Sequence, residues 1–122
     1  MYSEDFAEWL DNCLKKLPSK AVAINFNLYE GSDKTYDIQL IATDSFNEDD
    51  EDWACEEIFS TEENLFLIPI TKDIENWEDG LLLISNIIKN YLNNGKHATM
   101  LKELEAIGLG FVDGDIELLY KK

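Results

Sequence analysis

The chain has 122 residues, of which 26 are acidic, 10 are basic and one is histidine, a formal net charge of -16. With 45% apolar and 11% aromatic residues it can build a core, which excludes a wholly disordered polypeptide, and one globular domain over 1–122 accounts for the length. The charge excludes nucleic acid as a ligand, because phosphate recognition needs a basic footprint, and it sets the surface against anionic lipid headgroups and hence against membranes.

The N-terminal Met1-Tyr2-Ser3-Glu4-Asp5 is acidic where a secretory signal would be basic. The apolar runs at 65–70 and 81–84 are too short to span a bilayer. A cytoplasmic location is expected, with Cys13 and Cys55 as small core residues in a reducing compartment.

Ser3 is placed to cap a first helix, with Glu4 and Asp5 near the positive end of its dipole. Phe6, Trp9, Leu10, Cys13, Leu14 and Leu17 recur at three- and four-residue spacing until Pro18, and Lys15 and Lys16 fall in the last turn. From Val22 the period becomes two. Val22, Ile24, Phe26 and Leu28 share one face, and Ala23, Asn25 and Asn27 the other. After turn chemistry at Glu30-Gly31-Ser32-Asp33-Lys34, a second alternating run carries Tyr36, Ile38, Leu40 and Ala42 on one side. The two runs predict an antiparallel hairpin.

Residues 44–52 break both periods and read as an acidic loop. Residues 53–59 fit either a short strand or a helical turn, with strand preferred. Leu65-Phe66-Leu67-Ile68 is a compact strand that Pro69 ends or confines to a sheet edge. Asn76 can cap the next helix, with Asp79 three residues on. Trp77, Leu81, Ile84, Ile88 and Tyr91 form its apolar stripe, broadened by Ile87 and Leu92, and Asn93-Asn94-Gly95 closes it. A shorter helix is expected over 98–106. Asp113-Gly114 signals a two-residue type I′ turn, which would pair Phe111 with Ile116, Leu109 with Leu118 and Ile107 with Tyr120. Gly108 and Gly110 would permit twist or close approach of another backbone.

This order predicts an α+β domain, a mainly antiparallel sheet with three helices, the N-terminal helix first and a C-terminal β-hairpin last. The helices would cover one face. The other would carry Asn25, Asn27, Asp37, Gln39 and Glu117, solvated or used for binding.

Catalytic chemistry finds little support. His97 stands near a helix start without a partner motif, and no nucleophile elbow, zinc-protease pair or phosphate-binding glycine loop is present. Asp113 and Asp115 flank Gly114, but the turn already explains them. A calcium loop starting at Asp44 would need a ligand where Phe46 stands, and one starting at Asn47 would need glycine where Asp52 stands. No enzyme activity, metal or cofactor is assigned.

The acidic segment is the most informative feature. Between Glu48 and Glu57 seven of ten residues are acidic and none is basic. A solvated loop that maintains solubility explains this as well as a binding site does. Two details favour binding. Phe46 and Trp53 bracket the charges as aromatic anchors, and the crowded carboxylates repel by about 0.5–1 kcal/mol per near pair in high dielectric, a cost that a basic partner would relieve.

With Asp52-Trp53-Ala54-Cys55-Glu56-Glu57-Ile58-Phe59 and Gly110-Phe111-Val112-Asp113-Gly114-Asp115, the chain resembles the small acidic immunity proteins of bacterial polymorphic toxin systems in size, charge and helix-first layout. The resemblance implies a single-domain inhibitor that sequesters a cognate toxin, often a basic nuclease. The contact surface expected for that partner is Phe46, Glu48, Asp49, Asp50, Glu51, Asp52, Trp53, Glu56 and Glu57. The alternatives are a non-immunity interaction module or DNA-mimic regulator, and a small enzyme or metal binder built on the acidic loop. The polar sheet face could equally serve a homodimer.

Overall fold

The computed structural model describes residues 2–122. A first helix, α1 (Ser3–Leu14), is followed by strands β1 (Ala23–Gly31) and β2 (Thr35–Thr43). A 3-10 turn over Glu51–Cys55 leads into β3 (Glu57–Ser60) and β4 (Phe66–Pro69). A second 3-10 turn, Lys72–Ile74, precedes α2 (Trp77–Asn94) and α3 (Ala98–Leu101), and β5 (Ala106–Phe111) and β6 (Glu117–Lys121) complete the chain. The strand order is β3-β2-β1-β5-β6, with β4 also pairing β2. Every pairing is antiparallel except β1 with β5. The α+β architecture is the one the sequence predicts.

The two alternating runs pair from Ala23↔Thr43 to Gly31↔Thr35. Ser32, Asp33 and Lys34 make the turn, with Lys34 in the left-handed region at φ 59° that such three-residue loops require. Ile24, Phe26, Leu28, Ile38 and Leu40 are fully buried beneath the helices. Phe6 of α1, also fully buried, meets Phe26, Phe66 and Tyr91 at ring centroids of 6.0, 5.5 and 6.5 Å. One ring thus ties α1 to β1, β4 and α2. Burying such a side chain stabilises by about 1.5–3 kcal/mol. The Tyr91 hydroxyl donates to Asp11 Oδ1 at 2.5 Å and accepts from the His97 backbone N–H at 3.1 Å, joining α2 to α1 and to the start of α3.

Several local expectations are corrected. Ser3 is the first helical residue, and Tyr2 occupies the N-cap with no side-chain cap bond. The helix stops at Leu14, leaving Lys15 and Lys16 beyond its last turn. Residues 53–59 divide between a 3-10 turn and a strand. The helix expected over 98–106 ends at Leu101, and Ala106 is instead drawn into β5, pairing with Ala23 and packing with it against Trp53. Cys55 is exposed, while Cys13 is buried as expected, and both thiols are free.

The C-terminal hairpin departs most. Ile107 faces Tyr120 as predicted, but a bulge after Ile107 puts Gly108 opposite Leu118 and Leu109 opposite Glu117. Neither Asp113 nor Gly114 has positive φ, which excludes the type I′ turn; instead the Gly114 N–H donates to the Phe111 carbonyl at 2.9 Å. The cause is tertiary. In the expected register Phe111 and Ile116 would share a face, whereas Phe111 packs beneath α2 and Ile116 packs on the opposite face with Trp53. The loop folds back over β5 to reach that place. A Cβ on Gly110 would stand 2.4 Å from the Asp115 carbonyl oxygen, and one on Gly108 2.9 Å from Ile116. Gly110 thus admits the close backbone approach that its position suggests, whereas Gly108 makes room for the side chains of Asn25 and Ile116.

Candidate functional site

Two neighbouring acidic regions lie on either side of the 112–116 loop. The first is the segment 44–57, which leaves β2 and crosses one end of the uncovered sheet face. Trp53 fixes it there. Its ring is 5% exposed and clusters with Ala23 and Ala106, and Phe46 meets it edge-on at 5.2 Å. Short bonds shape the backbone. Asn47 Oδ1 accepts from the Asp49 N–H at 2.9 Å, and Asp50 Oδ1 caps the 3-10 turn by accepting from the Asp52 N–H at 3.0 Å. Glu51 Oε1 accepts from the Ile116 N–H at 2.8 Å, joining the segment to the C-terminal hairpin.

With the rings turned inward, the charges face solvent. Glu48, Asp49, Asp50, Glu51, Asp52, Glu56 and Glu57 are all exposed. Glu48 pairs with Lys121, the single ion pair among the described residues, and Glu56 accepts from Ser45 Oγ at 3.4 Å. Among the described residues, no hydrogen bond reaches the carboxylates of Asp49, Asp52 or Glu57. The structure thus brings the sequence-predicted residues together on one segment, but with unequal parts. Trp53 is a buried pin and Phe46 is half-buried, so neither offers a full ring to a partner.

The second region is a groove of about 890 Å³ where the carboxyl ends of β1 and β5 meet the start of α2. Leu28, Leu81 and Phe111 form its floor, and Trp77 and Val112, 51% and 54% exposed, form its walls. Glu30, Asp113, Asp115 and Glu117 stand around it, all exposed. A further depression shares Glu30 and Trp77 and continues past Glu75, Glu78 and Asp79, with Lys72 its one cation.

The groove is held in shape from below. The buried Tyr36 hydroxyl donates to the Ile74 carbonyl at 2.6 Å, and its ring runs so close beneath α2 that a Cβ on Gly80 would lie 2.4 Å from it. Burial and then the charges of Glu30, Asp79 and Glu75 raise the Tyr36 pKa, keeping this donor protonated. Phe111 meets Tyr36 at 5.9 Å and Trp77 edge-on at 6.1 Å. Asn76 caps the helix, accepting from the Glu78 N–H at 2.9 Å.

The sequence pattern assigned Trp77 to the buried stripe of α2, and this is corrected by its exposure. As the first residue of the helix it projects past the edge of the sheet that buries Ile84, Ile88 and Tyr91. Its place directly after the cap, among Glu75, Glu78 and Asp79, is the signal that could have revealed it.

The rest of the uncovered face is a polar network. Asn25 Nδ2 donates to Asn27 Oδ1 at 2.6 Å, and Asn27 Nδ2 and the Tyr29 hydroxyl both donate to Gln39 Oε1, at 3.2 and 3.0 Å. Asn25 itself is buried. His97 sits at the N-cap of α3 without a side-chain cap bond. Among the described residues, no three His, Cys, Asp or Glu side chains converge as a metal site, and no helix is long and apolar enough to cross a membrane. Comparison with protein-family models, curated proteins and solved structures finds no match.

Proposed function

We propose that this chain is a non-catalytic protein-binding module, an immunity-type inhibitor that sequesters a basic cognate bacterial toxin, such as a nuclease, in the cytoplasm. One observation carries the reading: a pinned segment presents seven exposed carboxylates, while the described residues hold a single internal ion pair. A formal charge of -16 draws a cationic protein in from a distance and speeds encounter most at low ionic strength. Asp49, Asp52 and Glu57, free of internal partners among the described residues, are the groups best placed to meet its lysines and arginines. Trp53 serves by holding the segment in place.

The test is co-purification with the product of a neighbouring toxin gene, followed by calorimetry at low and physiological salt. Replacing Asp49, Asp50 and Asp52 together with Asn retains the cap at position 50. It is expected to weaken binding by about tenfold or more and to flatten its salt dependence. Unchanged affinity and salt dependence would remove the segment from the interface, and the lack of any toxin partner would overturn the reading.

A further inference from the structure

Resting on the reading that the chain serves a cationic protein, we propose that the groove beside Trp77 receives a short arginine-bearing, partly apolar segment of that partner, with Trp77 as its anchor. The acidic segment 44–57 has charge but almost no exposed ring. The groove has both.

Its volume of about 890 Å³ lies within the range that encloses several side chains. Trp77 and Val112 are each more than half exposed on its walls, apolar surface left in water by the chain alone. The carboxylates around them exclude most other occupants. A phosphate-bearing or acidic ligand would be repelled by Glu30, Asp113, Asp115 and Glu117. A purely apolar ligand would strip water from those carboxylates without replacing it.

The start of α2 would by itself favour an anion, but Asn76 already satisfies the Glu78 N–H, and Glu78 and Asp79 supply the negative charge there. A guanidinium answers both demands at once, since it stacks on an aromatic face and bonds carboxylates through its planar fork. Apolar neighbours of the arginine would cover Val112 and Leu81. The contacts of Tyr36 with Ile74 and of Phe111 with Trp77 hold the walls in place beforehand, which lowers the ordering cost of binding.

The proposal is tested on the full chain, 15N-labelled, by NMR titration with the peptide Ac-Leu-Arg-Leu-Arg-Leu-NH2 and with its counterpart carrying neutral citrulline in place of both arginines. The expected shifts fall on the Trp77 indole, Glu30 and residues 111–117. The citrulline peptide is expected to bind about tenfold more weakly, and Trp77→Ala to lose about tenfold while the melting curve stays close to that of the parent. The chain with Asn at 49, 50 and 52 should bind the arginine peptide at the same groove.

Shifts centred on 46–57, equal binding of the two peptides, or no effect of Trp77→Ala would each overturn the proposal. The outcome is separable from that of the toxin experiment. Peptide binding without a toxin partner would overturn the inhibitor reading and keep the groove. Toxin binding through residues 48–57 with no peptide response would do the reverse.

Discussion

Trp53 and Trp77 each stand beside a run of acidic residues, yet one is 5% exposed and the other 51%. Around Trp53 the sheet supplies a seat of small residues, Ala23 and Ala106, into which the ring fits. The carboxylates on either side of it are thereby left in water. Around Trp77 the supporting surface runs out at the first turn of α2, and the ring rests edge-on against Phe111 with one side open. Composition is nearly the same in the two places. What differs is whether the fold provides a floor, and that decides whether an aromatic residue acts as a fastener or as a contact. The first arrangement suits long-range attraction, and the second suits short-range recognition.

Removing each ring in turn gives the largest expected effect. Trp53→Ala should cost about 3 kcal/mol or more, the usual range for deleting a buried tryptophan, whereas Trp77→Ala should cost less than about 1 kcal/mol. Urea denaturation of both variants measures the difference, and equal costs would erase the distinction between fastener and contact. Gly80→Ala sharpens it from the other side. The added methyl would meet the Tyr36 ring beneath α2, with an expected cost of about 2 kcal/mol. Backbone chemical-shift changes should concentrate around Trp77 and Phe111 and leave residues 46–57 nearly unaffected.

The smallest effect comes from the cysteines. Iodoacetamide at neutral pH should modify exposed Cys55, at the end of the acidic segment, with little change in melting temperature, and should reach Cys13 only on unfolding. Burial pushes the Cys13 thiol up from 9.0 to about 11, with Lys16 pulling the other way. The unfolded thiol therefore loses its proton first. The stability linked to this group is complete below about pH 9 and falls as pH rises toward 11. Modification of Cys13 in the folded chain at neutral pH would contradict its burial.

Much of the fold is legible where the determinants are local. The alternation through Ile24, Phe26 and Leu28 and through Ile38 and Leu40, together with a loop able to place Lys34 at positive φ, leaves one register for β1 and β2. The stripe Ile84, Ile88, Tyr91 and the Asn76 cap define α2 in the same way. What the pattern does not disclose depends on partners far away in sequence. The Asp113-Gly114 turn signal yields to the place that Ile116 finds beside Trp53. The pairing of Ala106 with Ala23, which puts this residue in β5 and not in the helix expected over 98–106, is a second such distant contact. At the candidate site, the acidity of residues 48–57 is legible. The inward turn of Trp53 and the outward turn of Trp77 are not, because the first depends on the seat that Ala23 and Ala106 form and the second on the open groove beside Phe111.

The parallel seam between β1 and β5 has a consequence for biogenesis. Strand β1 has its β2 partner close behind it in the chain, but its other edge stays bare until β5 has also been made. Until then β1 offers a row of unpaired backbone groups flanked by Ile24, Phe26 and Leu28, the kind of template on which nascent chains stick to one another. A nascent chain stalled before β5 would thus be the aggregation-prone species, with the excess of carboxylates already made by then, those of residues 48–57 among them, keeping neighbouring chains apart.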